Sequence, residues 1–77
     1  MTEKQKFLIE EIQKDMVQWL IQERNLSLAD ALNTIYNSET FEKIQNVNTG
    51  LYLESSAYNY NLLEDELKFG KLTQMEI

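Results

Sequence analysis

The chain has 77 residues, with 13 acidic and seven basic side chains, a net charge of −6, and no cysteine, histidine or proline. This composition excludes disulfides, thiolate and imidazole metal ligands, and nucleophiles activated by a histidine. Because so short a chain buries only about 60% of its unfolded surface, we expect association to supply part of its stability.

The first predicted element is a long helix over residues 3–24, with apolar side chains on two faces. At about 100° per residue, one stripe of roughly 120° is the predicted core face. Its members are Leu8, Ile9, Ile12, Met16, Trp19 and Leu20. Phe7, Val17 and Ile21 lie on the opposite side. Since a helix that is apolar on two faces is central in its fold or shared with a second chain, we interpret this second stripe as a candidate interface.

Two short helices are predicted next, over residues 28–36 and 39–46, capped by Ser27 and Ser38. Asn25 ends the first helix because asparagine tolerates the left-handed conformation. The residues expected to face the core are Leu28, Ala31, Leu32, Ile35, Phe41 and Ile44.

The stretch NVNTGLYLESSAYNY, residues 46–60, is predicted to be a turn that leads into the last helix. Gly50 supplies a positive φ, and Ser55 or Ser56 caps the helix that follows. Residues 51–53 should form a short extended or single-turn segment. Its leucines would fill the base of the core while Tyr52 stays partly exposed.

The last predicted helix runs from Ser56 to Phe69, with Gly70 as its C-terminal cap and with Lys68 and Lys71 near its negative end. It repeats the pattern of two apolar faces. Tyr60, Leu63 and Leu67 form one face, with Asn59 and Glu66 at its rim, and Tyr58, Leu62 and Phe69 form the other. Either Tyr58 and Tyr60 are both core aromatics whose hydroxyls reach water, or one of them anchors a protein interface.

No catalytic, cofactor or metal site is predicted. The chain has no glycine-rich phosphate loop, and the acidic runs Glu10–Glu11 and Glu64–Glu66 are interpreted as solvated surface. A carboxylate hydrolase that uses Glu10, Glu11 or Glu66 as its base is the third alternative.

Nucleic-acid binding is the second alternative, because residues 27–46 resemble a helix-turn-helix. The would-be recognition helix, however, carries Glu39 and Glu42 where phosphates should approach, and Lys43 is its only cation. Electrostatics therefore favours two short packed helices without a nucleic-acid partner.

The blocks TGLYLESSAYNYNLLEDELKFGKL and LSLADALNTIYNSETFEKI resemble a small uncharacterised bacterial helical family, common in gut anaerobes. The specific part covers residues 49–67, where the family's T-G-L-Y…S…Y-x-Y…L…E-L block falls on ten positions. These are Thr49, Gly50, Leu51, Tyr52, Ser55, Tyr58, Tyr60, Leu63, Glu66 and Leu67. Genes of that family often lie near genes for ADP-ribosyltransferase-like toxins. The resemblance implies no catalytic residue and a non-enzymatic accessory role, such as neutralising a neighbouring toxin.

We therefore predict an all-α, single-domain protein over residues 1–77, with four helices of which the first and last are long and packed together. It should be a non-enzymatic protein–protein interaction module, acting as a homodimer or in a small complex. The candidate interface residues are Phe7, Val17, Ile21, Tyr58, Leu62 and Phe69. No apolar run exceeds three residues, so we expect a cytoplasmic protein without a membrane span or a signal-peptide core.

Overall fold

A computed structural model describes residues 1–70 of the chain, so Lys71 lies outside the described residues. The four α-helices are α1 (Glu3–Arg24), α2 (Leu28–Tyr36), α3 (Glu39–Gln45) and α4 (Ser56–Phe69). Two single 3₁₀ turns, Val47–Thr49 and Leu51–Leu53, connect α3 to α4, and residues 1–70 contain no strand. The predicted all-α fold with a long first and a long last helix is confirmed.

Local capping signals place the ends of the helices where the sequence predicts them. The Ser27 and Ser38 hydroxyls accept hydrogen bonds from the amides three residues later, at 3.1 and 3.0 Å. Asn25 ends α1 with a φ of 55°, and Gly50 and Gly70 take φ values of 73° and 79°. Each boundary is set by a few neighbouring residues, which is why a local pattern predicts it.

The core lies where α1 packs against α2, α4 and the second 3₁₀ turn, and α3 joins it by packing against α4. Asp15 on α1 accepts a hydrogen bond from the Ser56 hydroxyl of α4 at 2.7 Å, and Gln13 donates to the Tyr36 hydroxyl of α2 at 2.9 Å. By helical projection Asp15 and Gln13 lie on different sides of α1, so α4 and α2 flank it. The buried apolar residues are Ile9, Ile12, Met16, Leu20, Ala31, Ile35, Phe41, Ile44, Leu51, Tyr60, Leu62 and Leu63.

Two leucines that were expected in the core are exposed. Leu28 is 59% exposed at the first position of α2, whereas Leu26, two residues earlier, packs against the core. Leu53 is 68% exposed, whereas Leu51 of the same turn is buried. A 3₁₀ turn has about three residues per turn, so three consecutive side chains point in three directions. Leu51 is buried, Tyr52 packs against the core while partly exposed, and Leu53 points away. Among residues 1–70, no helix combines the length and the apolar character needed to cross a membrane.

Candidate interaction surfaces on the last helix

The structure divides the predicted interface residues of α4 between the surface and the core. Tyr58 and Phe69 are 46% and 57% exposed, whereas Leu62 is 1% exposed. The assignment of Leu62 to an accessible interface is therefore wrong for this fold, because its side chain belongs to the hydrophobic core.

Tyr58 and Phe69 share one side of α4, which we call the apolar flank. They are eleven residues apart, which at 100° per residue places them within about 20° of each other around the helix axis. The Lys68 ammonium lies 5.3 Å from the centroid of the Phe69 ring. Leu62 lies between them in sequence and turns slightly inward, and the partly buried Asp65 lies between them on the outer side. The apolar flank therefore consists of two separate aromatic side chains at the outer edge of the core.

The three predicted residues of α1 do not join this flank. Val17 and Ile21 are partly buried and pack against the core, which accounts for the second apolar stripe over that part of α1. They lie on the side of α1 opposite Trp19, which contacts α4. Phe7 is 58% exposed near the start of α1. The six predicted residues therefore form no single patch.

A neighbouring side of α4 forms a groove with α1 that the sequence did not predict. The groove has a volume of about 240 Å³. Its lining consists of Trp19, Glu23, Ala57, Tyr60, Asn61 and Glu64. The Trp19 and Tyr60 rings are tilted by 55° with their centroids 5.2 Å apart, so side chains from both helices meet in it. We call this feature the aromatic–carboxylate groove.

A sequence signal for this groove exists in the spacing of its residues. Trp19 and Glu23 are four residues apart on α1, and Tyr60 and Glu64 are four residues apart on α4. Residues four apart are neighbours on a helix surface, so Trp19 and Glu23 form an aromatic–carboxylate pair on α1, and Tyr60 and Glu64 form another on α4. The sequence does not show that the two pairs face each other.

The carboxylates of the groove act on the Tyr60 hydroxyl. This hydroxyl donates a hydrogen bond to Glu23 Oε1 at 3.3 Å. Burial and the nearby Glu23 and Glu64 carboxylates raise the pKa of Tyr60 to about 12, and Arg24 opposes part of this shift. Tyr60 therefore keeps its proton to a higher pH than an ordinary tyrosine does.

Glu66, which was expected on a solvated rim, instead joins α4 to the start of α3. Its Oε2 accepts a hydrogen bond from the Glu39 amide at 2.8 Å. Its Oε1 accepts from the Thr40 amide at 2.9 Å and from the Thr40 hydroxyl at 2.8 Å. The first amides of a helix have no partner within it, so the Glu66 carboxylate completes the cap that Ser38 begins.

Asn59 was also placed on the rim, and it is fully buried. Its Nδ2 donates to the carbonyl oxygens of Leu51 and Ser55, at 3.0 and 3.1 Å. The side chain thereby joins the second 3₁₀ turn to the first turn of α4. Within the described residues, Asn59 Oδ1 has no hydrogen-bond partner.

The three carboxylates of the hydrolase alternative lie in different surroundings. Glu66 is engaged by α3, Glu11 forms an ion pair with Lys14 at 3.3 Å, and Glu10 is exposed. Across residues 1–70, no group of three or more acidic side chains is arranged to hold a metal ion.

Comparisons with known protein families, with curated proteins and with solved structures find no match to this chain. The resemblance to a bacterial helical family therefore stays a prediction, and the arguments about function rest on the geometry above.

Proposed function

We propose that the protein is a non-enzymatic protein–protein interaction module that self-associates through the apolar flank of α4. The observation that carries this proposal is the exposure of Tyr58 and Phe69 at the edge of the face of α4 that builds the core. Aromatic residues are enriched in protein interfaces because a large, rigid side chain buries much apolar surface at a small cost in conformational entropy.

A second copy is a suitable partner for this flank because the chain is short and its own core is small. Packing Tyr58 and Phe69 against the same residues of another copy would remove apolar surface from water on both sides at once. Since each copy has a net charge of −6, like-charge repulsion opposes the contact. Added salt screens that repulsion, so association should become tighter as salt rises.

The experiment is sedimentation of the purified protein across a micromolar concentration range, at low and at high salt. We expect a monomer–dimer equilibrium that shifts towards the dimer as salt rises. The variants Tyr58→Ser and Phe69→Ser should each weaken the dimer at least about ten-fold, which is about 1.4 kcal/mol. Their helical content should match that of the wild type, because both side chains are exposed.

Leu62→Ser is the matched control, since it changes the intervening residue of the same helix from buried apolar to polar. It should lower the free energy of unfolding by several kcal/mol, on the scale of about 2–5 kcal/mol for large-to-small core substitutions. A wild-type protein that remains a monomer at every concentration and salt would contradict self-association. Loss of helix in Tyr58→Ser and Phe69→Ser would contradict an interface role for the flank.

The start of α3 supports this choice over a DNA-associated regulator. In a helix-turn-helix protein this end of the recognition helix approaches the nucleic acid. Here Glu66 already accepts the hydrogen bonds of the Glu39 and Thr40 amides, and Glu39 and Glu42 add further negative charge. A phosphate would meet like charge at this position. The toxin-like partner that the family resemblance implies stays a prediction.

A further inference from the structure

We propose that the aromatic–carboxylate groove between α1 and α4 binds an arginine side chain presented by a basic segment of a protein partner. The proposal rests on the proposed role as an interaction module, and it names the chemistry that the partner must offer. Three properties of the groove point to a guanidinium group: its charge, its aromatic lining and its size.

Charge complementarity is the first property. Two carboxylates, Glu23 and Glu64, line the groove, and none of its lining residues is a cation. Glu23 accepts a hydrogen bond from the Tyr60 hydroxyl at 3.3 Å, and both carboxylates help to raise the pKa of Tyr60. Arg24 is close enough to act on the same hydroxyl in the opposite sense, but it does not line the groove. A cation bound there would be attracted by two charges.

The aromatic lining selects the type of cation. A guanidinium is planar, stacks on aromatic rings, and donates several hydrogen bonds in one plane, which a lysine ammonium cannot do. Trp19 is partly buried and supplies the ring on which a guanidinium can stack, whereas Tyr60 is 5% exposed and packs behind it. Glu23 and Glu64 supply hydrogen-bond acceptors beside that ring. An arginine can therefore use both kinds of contact at once.

The size of the groove fits one side chain. Sites for drug-sized ligands usually have volumes of roughly 300–1,000 Å³, and this groove has about 240 Å³. Glu64 lies about 120° around α4 from Tyr58, so the groove and the apolar flank lie on different sides of the helix. A basic partner and a second copy of the chain can therefore bind at the same time.

The fluorescence of Trp19 gives a direct readout, because it is the only tryptophan of the chain and lines the groove. The probe is a tetra-arginine amide peptide, titrated at low salt into the full chain. We expect a saturable change of emission and an affinity that falls as salt rises, since salt screens ion pairing. Tetra-lysine amide should bind at least about three-fold more weakly, because the ammonium group does not stack.

The double variant Glu23→Gln/Glu64→Gln should weaken peptide binding at least about ten-fold while keeping wild-type helical content. The control is Glu10→Gln/Glu42→Gln, which removes the same net charge from two exposed residues that do not line the groove. Glu10 is nine residues from Trp19, which places it on the opposite side of α1. This control should weaken binding much less than the groove variant does, because its two charges lie away from the groove and make no contact with an arginine bound there.

Three results would overturn the proposal: no saturable fluorescence change, equal losses in the two double variants, or equal affinities for the two peptides. Peptide binding and self-association should respond to salt in opposite directions, so the test of the groove can be told apart from the test of the proposed function. Self-association should tighten with salt while peptide binding weakens, and Tyr58→Ser and Phe69→Ser should leave the peptide affinity unchanged. Failure of the groove proposal therefore leaves the dimer result intact, and the reverse also holds.

Discussion

Glu64 and Glu66 belong to the same acidic run of α4, yet they lie in two different regions of the molecule. Glu66 faces the start of α3, where its two oxygens accept three hydrogen bonds from Glu39 and Thr40. Glu64 faces the aromatic–carboxylate groove, where it acts on the Tyr60 hydroxyl. Two residues along a helix correspond to about 200° of rotation, so the two carboxylates meet different neighbours.

The comparison shows that the groups facing a carboxylate decide its role. Around Glu66 these groups are helix amides without partners in their own helix, so the carboxylate stabilises the packing of α3 on α4. Glu64 shares its surroundings with Trp19, Tyr60 and the Glu23 carboxylate, so two negative charges lie beside an open groove. We expect substitutions to affect stability in the first region and binding in the second.

The largest expected effect is that of Glu66→Ala on stability. The change removes the acceptor for two backbone amides and one hydroxyl, and hydrogen bonds to charged groups contribute about 1.5–3 kcal/mol each. We expect the free energy of unfolding to fall by about 2–3 kcal/mol, because water can reach part of this site and replace some of the bonds. Urea denaturation followed by circular dichroism measures the change.

Glu64→Ala is the matched control for that experiment, since it removes the same side chain two residues earlier. Its effect on unfolding should stay within about 0.5 kcal/mol, as is usual for surface positions. If both variants lose the same free energy of unfolding, the loss comes from removing negative charge near the end of α4. The hydrogen bonds of Glu66 to α3 would then not account for it.

A smaller effect should follow from Thr40→Val, which keeps the shape of the buried side chain and removes only its hydroxyl. Glu66 Oε1 then loses one of its two donors and keeps the Thr40 amide. We expect a loss of about 1–2 kcal/mol in the free energy of unfolding. In the Glu66→Ala background the same substitution should have little effect, because the acceptor is already absent. A double-mutant cycle measures this coupling, and additive losses would argue against the contact.

The last expected effect concerns the groove and is absent at neutral pH, since it appears only at alkaline pH. The pKa of Tyr60 is about 12 in the folded chain and 10.0 for an ordinary tyrosine, so the folded state holds the proton more tightly. The stabilisation from this difference is fully present below pH 10, and it is lost as pH rises from about 10 to about 12. Thermal unfolding across that pH range should show the loss.

Tyr60→Phe isolates this contribution, because phenylalanine has no proton to lose. Its melting temperature should fall less steeply than that of the wild type between pH 10 and pH 12. In Glu23→Gln/Glu64→Gln the pKa of Tyr60 should move down towards 10, since two of the causes of the shift are removed. If the melting temperature falls with pH as steeply in both variants as in the wild type, the groove carboxylates do not set the pKa of Tyr60.

Local signals in the sequence were sufficient for the helices and their ends. Ser27, Ser38 and Gly70 were predicted at caps that the structure contains, and the positive φ of Gly50 was predicted as well. Each of these features depends on a side chain and on amides or carbonyls a few residues away. The reciprocal cap between Thr2 and Gln5 at the start of α1 is equally local, although it was not predicted.

Only the tertiary structure decided which side of each helix is covered. Periodicity placed Leu62 and Phe69 on one face of α4, but the core covers Leu62 and ends before Phe69. The same sequence rules placed Asn59 and Glu66 on a rim, whereas packing buries Asn59 and brings α3 against Glu66. Contacts between residues more than twenty positions apart depend on how helices cross, and the pattern within one helix carries no information about its neighbour.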